Sequence, residues 1–141
     1  MKIPEPKVGL VVRYSFLWSR EATAGLEEGS KDRPCAIVLI VRNIDNALIV
    51  RVLPITTRAP HDLAKAMEIP LPTKLRIGLD EAKSWVILAE TNEFEWPGPD
   101  LRPASRENRS TPMLGMLPPG FTSELLRRLR ERSGIKIITR T

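Results

Sequence analysis

Gly29-Ser30-Lys31-Asp32-Arg33-Pro34 runs without a break into Cys35-Ala36-Ile37-Val38-Leu39-Ile40-Val41, a polar loop feeding an apolar segment. The turn residues Asn43-Ile44-Asp45-Asn46 follow, and then a second apolar run, Ala47-Leu48-Ile49-Val50-Arg51-Val52-Leu53, which closes on Pro54-Ile55-Thr56-Thr57. Short apolar runs bounded by turn signals read as buried strands, and two of them around a four-residue turn predict a hairpin. That hairpin sets Arg33 at the mouth of one strand and hydroxyls at the end of its neighbour, so Arg33 and Thr56 converge. An arginine so placed is held by the strand's own hydrogen bonds, while its guanidinium stays free to meet an anion in a fixed fork geometry. The position suits phosphate chemistry.

Working outward, Val8-Gly9-Leu10-Val11-Val12-Arg13-Tyr14-Ser15-Phe16-Leu17-Trp18 predicts a first strand, rich in β-branched and aromatic residues. Residues 20–32 are charged, contain two glycines and predict a long loop with one helical turn around 21–26. Beyond the hairpin, 66–70 predicts a short edge strand closed by Pro70. Asp80-Glu81-Ala82-Lys83 makes a turn before a strand over 84–90, and 92–96 alternates polar and aromatic residues in strand fashion. Met113-Leu114-Gly115-Met116-Leu117 predicts a last short strand. A helix over 122–133 follows, with Thr122 or Ser123 as N-cap, Leu125, Leu126 and Leu129 on one face and Gly134 as its stop. The tail 134–141 reads either as an added strand or as a segment that orders on a partner. Short strands at close spacing, followed by one helix, predict a mainly β protein: a small, strongly bent β-barrel with a C-terminal helix.

The chain has 141 residues and 42% hydrophobic composition, which suits one domain with a barrel over about 6–121. No window approaches a membrane span, and Met1-Lys2-Ile3-Pro4-Glu5-Pro6 lacks the apolar core of a signal peptide, so a cytoplasmic protein with no membrane partner is expected. The lone Cys35 lies inside an apolar run, which excludes an internal disulfide and a Cys-rich metal site. With 22 Lys+Arg against 17 Asp+Glu the net charge is +5, which favours a polyanion as partner.

Arg33-Pro34 opening an apolar strand, Pro54-Ile55-Thr56-Thr57 closing the next, Gly78-Leu79 ahead of Ser84-Trp85-Val86, and a terminal helix together resemble the MazF/PemK family of toxin–antitoxin endoribonucleases, the PemK-like branch most closely. The likeness spans about residues 6–132. It implies an SH3-like barrel of the MazF/PemK/CcdB type and a homodimer that cleaves single-stranded RNA at short sequences and so inhibits translation. It also implies silencing by an antitoxin encoded alongside, in a complex that binds its operator DNA. By the same resemblance the catalytic residues are Arg33, Thr56 and Glu28, and their neighbours Lys31, Thr57 and Arg58 bind substrate. This chain shows Gly25-Leu26-Glu27-Glu28 where the family commonly has Gly-Ser-Glu-Gln, which leaves Glu27 as an alternative to Glu28.

RNA cleavage by 2′-hydroxyl attack needs a base for that hydroxyl, an acid for the leaving 5′-oxygen, and positive charge against the phosphorane. His61 is the only histidine, so no His–His pair is available, and it reads as an ordinary loop residue. Glu28 is then the candidate base, Arg33 the electrostatic clamp, and Thr56 the hydroxyl that orients the phosphate. Trp18, Trp85 and Trp96 can stack bases, with Trp85 and Trp96 read as core. Glu93 and Glu95 share one strand face without a third acid, so a metal site is not expected, nor is any cofactor. Two other classes stay open: a gyrase-binding toxin of the same fold, and a nucleic-acid-binding module without catalysis.

Overall fold

An apolar run without alternation needs cover on both faces. The computed structural model, which describes residues 1–80 and 82–140, supplies it for 35–38 but leaves Leu39 and Val41 exposed, so the run is a buried strand only in its first half. Strands β1 (Leu10–Tyr14), β2 (Arg33–Arg42) and β3 (Leu48–Thr56) form an antiparallel centre. Val11, Ala36, Val38, Leu53 and Ile55 project into one apolar cluster. Val12, Cys35, Ile37, Val50 and Val52 project into a second, where Tyr14 stacks on Phe94 at 4.6 Å between ring centroids. Each buried aliphatic side chain contributes about 1.5–3 kcal/mol, so the two clusters hold the centre from both sides.

β3 carries the bend. Its first half pairs with β6 (Glu90–Glu95), while Ile55 and Thr56 at its end pair on that same edge with Val86 and Trp85 of β5 (Trp85–Ile87). Edge strand β4 (Ala66–Glu68) adds to β5, β7 (Met113–Met116) adds to β1, and β8 (Lys136–Thr139) lies parallel to β6. A register shift between Ile37 and Leu39 bends β2 as well. The result is one eight-stranded, β-barrel-like sheet, antiparallel apart from the β6–β8 pair. The tail is thus an added strand.

Three α-helices accompany the sheet among the described residues. α1 (Ser19–Thr23) is the helical turn expected in the long loop, begun two residues earlier than the sequence suggested, and β1 is correspondingly shorter than the run 8–18. α2 (Leu71–Arg76) was not anticipated; Pro72 in its first turn, where no intrahelical N–H bond is needed, starts a helix instead of breaking one. α3 (Pro119–Glu131) begins ahead of the expected cap for the same reason. Pro118 occupies the N-cap and Pro119 the first turn, and Thr122 is one turn inside, its Oγ1 donating to the Pro118 carbonyl at 3.0 Å. Leu125 of α3 is fully buried against the first cluster. Glu81, within the turn expected at 80–83, lies outside the described residues, and among those described no helix is long and apolar enough to cross a membrane.

Candidate functional site

Arg33 opens β2, where its main chain is fixed opposite Tyr14 of β1. Its side chain turns onto the indole of Trp18, with the guanidinium carbon 5.3 Å from the ring centroid, and Arg20 approaches the same ring at 5.5 Å. Among the described residues the Arg33 side chain has no hydrogen-bond acceptor and no ion pair, and its Nε is buried. Burial pushes the guanidinium pKa down, and Arg20 adds to that effect against the opposing pull of Glu21. An arginine ordinarily titrates so far above neutral pH that the group remains a cation. A buried donor without a partner costs about 1–3 kcal/mol. An anion arriving here relieves that cost.

The loop that delivers Arg33 is tied down on three sides. Glu21 of α1 accepts from the Trp18 N–H at 3.1 Å and, through its other oxygen, from the Ser30 N–H at 3.0 Å. Burial alone would raise the Glu21 carboxyl, but the bonds from Trp18 and Ser30, with the charge of Arg20, more than offset it and hold the pKa below the usual carboxylate range. Gly29 donates to Ser15 Oγ at 3.1 Å, and a Cβ on it would stand 2.0 Å from the Phe16 carbonyl oxygen, so only glycine can lie this close. From the far end of the chain, Arg140 donates through Nη2 to the Glu27 carbonyl at 2.8 Å. Trp18 is itself positioned from behind: Asn92, fully buried, accepts from the Leu17 N–H and donates to the Leu17 carbonyl, both at 2.8 Å.

Trp18 and Arg20 also form one wall of a groove of about 640 Å³, whose other walls include Thr56, Arg58, His61, Glu90 and Lys136. The β2–β3 ladder closes at Cys35 and Pro54, two steps short of Arg33 and Thr56. Trp18 links the two expected partners, since Arg33 stacks on it and it lines the groove with Thr56. Arg33 itself is not among the walls of the groove, and no hydrogen bond joins it to Thr56 among the described residues. Thr56 Oγ1 accepts from the Arg58 N–H at 3.1 Å, which fixes the corner of the groove. Lys31 and Thr57 are exposed, and neither is among the walls of the groove. Glu28 goes elsewhere: its carboxylate lies 3.8 Å from Arg102, and Glu27 contributes only its backbone carbonyl.

Sequence reasoning missed Arg20, Glu21 and the groove position of His61. For Glu21 a signal existed, since a glutamate three residues after the residue that precedes a helix is the reach-back half of a capping box. For Arg20 and His61 none existed, because their nearness to Trp18 and Thr56 depends on how β3 bends. Cys35 is fully buried, its thiol pushed far up by burial, and Trp96 packs on the second cluster with its Nε1 donating to the Pro4 carbonyl at 3.1 Å. Trp85 is half-buried on β5. No group of three or more His, Cys, Asp or Glu among the described residues could hold a metal ion.

No protein-family model matches this chain, and no curated protein sequence matches it. What the geometry offers is a cationic fork against an aromatic face, beside a groove whose walls carry Arg20, Arg58, Glu90 and Lys136. That combination can hold a phosphate and a base together.

Proposed function

We propose that this protein is a cytoplasmic endoribonuclease toxin of a toxin–antitoxin system, built on an SH3-like barrel and active as a homodimer. The observation that carries the reading is the Arg33 guanidinium, half-buried with an unpartnered Nε on Trp18, the residue that also lines the Thr56 groove. In this reading single-stranded RNA lies across the groove, a base stacks near Trp18, and the scissile phosphate meets Arg33. The fork stabilises the charge that develops on the phosphorane, and Thr56 orients a phosphate oxygen. Lys31, Thr57 and Arg58 contact the flanking backbone.

The proton transfers have two candidates. Glu28 carries the family resemblance, but its carboxylate faces Arg102. His61 lines the groove with Thr56, and histidine is the side chain most often used for such transfers. Comparing Glu28→Gln with His61→Ala on one RNA identifies which of them takes part: loss in the first alone favours the resemblance, loss in the second alone favours the groove.

The deciding experiment incubates the protein with a long labelled RNA, with and without EDTA. Discrete cuts that survive EDTA and leave 2′,3′-cyclic phosphate and 5′-hydroxyl ends are expected. Intact RNA bound with a steep salt dependence would instead favour a non-catalytic binding module. Strict dependence on Mg²⁺ would overturn the scheme. An antitoxin, on this reading a short acidic partner, should abolish the cutting when mixed in.

A further inference from the structure

Behind the mouth of β2 lies a second cavity, of about 350 Å³, lined by Arg13, Arg102, Arg106 and Arg109 with Asp32 as the single carboxylate. Arg102 is engaged: its Nε lies 3.6 Å from Asp32, and one terminal nitrogen donates to the Pro99 carbonyl at 3.1 Å. The side chains of Arg13, Arg106 and Arg109 have no ion pair or hydrogen bond among the described residues. A concavity lined by one sign of charge focuses its field and concentrates counter-ions. Three unpaired guanidinium groups in one depression repel each other until an anion arrives.

Their presentation is built, not incidental. The segment that carries Arg106 and Arg109 is pinned by Ala104 N–H to the Thr111 carbonyl at 2.9 Å, Asn108 N–H to Ser105 Oγ at 2.9 Å and Ser110 Oγ to Asn108 Oδ1 at 2.8 Å. Its end is held by the Lys2 N–H on the Ser110 carbonyl. Arg13 is placed by β1, opposite Pro34 in the ladder. The cavity and the Arg33 fork therefore share one ridge. Arg33 leans to one side of it onto Trp18, and Asp32, the preceding residue, leans to the other onto Arg102.

We infer that this arginine cavity is a backbone-binding subsite for single-stranded RNA, which takes the phosphodiesters next to the one held by Arg33. The inference rests on the proposed RNA substrate and extends its track from the groove across the β2 ridge. Contacts of this kind fix position and carry no sequence information. Each one releases about 0.7 of a counter-ion from a single strand.

The test measures binding of a non-cleavable single-stranded RNA, with its reactive 2′-hydroxyl removed, against salt. The proteins compared are the wild type, the double variant Arg106→Ala/Arg109→Ala, and Arg42→Ala, which loses a charge on the opposite end of β2. Both cavity side chains are exposed, so the double variant should keep the wild-type melting temperature. Its log K against log salt slope should fall by about 1.4, and its affinity by about tenfold at ~0.15 M salt, alike for unrelated sequences. Arg42→Ala should keep the wild-type slope. A double variant with the wild-type slope, in a protein that binds and cuts RNA, overturns the subsite and leaves the proposed function standing. A wild-type protein that neither binds nor cuts RNA removes both.

Discussion

Arg33 and Arg140 are both withdrawn from solvent, and they are opposites. Arg140, beyond the end of β8, is 7% exposed and engaged through both terminal nitrogens: it donates to the Ser15 carbonyl at 2.8 Å, to Asn92 Oδ1 at 3.0 Å, to Tyr14 Oη at 3.3 Å and to the Glu27 carbonyl at 2.8 Å, and it pairs with Asp100 at 3.2 Å. Arg33 has an aromatic face and no acceptor. A buried charge paired with a carboxylate and bonded through its terminal nitrogens is a structural element, and one without any acceptor is held ready for something else. The two are connected, since Arg140 fixes Glu27 and Asn92, and these position the loop before Arg33 and the chain before Trp18.

The largest expected effect breaks the Arg140 site. Arg140→Met strands Asp100 and removes a donor from four further acceptors, so stability should fall by about 3–5 kcal/mol. Chemical denaturation reads this, and hydrogen exchange should show β8 opening first. An unchanged midpoint would mean the network holds nothing.

The contrast sharpens at Arg33. Arg33→Ala should slow RNA cleavage on the order of 10²-fold, as the loss of one preorganised charge-stabilising donor does. Stability should hold or rise, because the lost stacking on Trp18 is worth about 0.5–1 kcal/mol and an unmet buried donor costs about 1–3 kcal/mol. Arg33→Lys should recover only part of the rate, since an ammonium cannot make the fork. Wild-type cutting by Arg33→Ala would end the assignment.

The smallest effect tests Glu21, the acid that links α1 to the Arg33 loop. Its folded pKa is depressed, so its contribution is present above the unfolded value of about 4.3 and is lost as pH falls through the folded value. Glu21→Gln should therefore cost about 1–2 kcal/mol at neutral pH. The difference between the two proteins should shrink as the pH is taken well below 4. A gap that stays constant through acid would show that the charge of Glu21 plays no part.

Reading the chain in order revealed the hairpin, because apolar runs and the turn 43–46 are local signals. The same signals placed β4, β7 and α3 to within a few residues. α2 escaped because Pro72 reads as a breaker when its position within the helix is unknown. The tail stayed open between strand and free segment because its fate depends on Arg140, whose partners are drawn from Tyr14, Glu27, Asn92 and Asp100.

By itself the sequence determined the mainly β class, the central hairpin, and Arg33 at the mouth of β2 with Thr56 at the end of β3, since each follows from the order of residues along one or two strands. Only the tertiary structure decided what surrounds Arg33. The fold gathers Thr56, His61 and Trp18 around one groove, the Glu21 carboxylate reaches Ser30, and Arg102 draws Glu28 away. Those are contacts between residues far apart in the chain. They are set by which faces must be buried together, and no local pattern of residues encodes that.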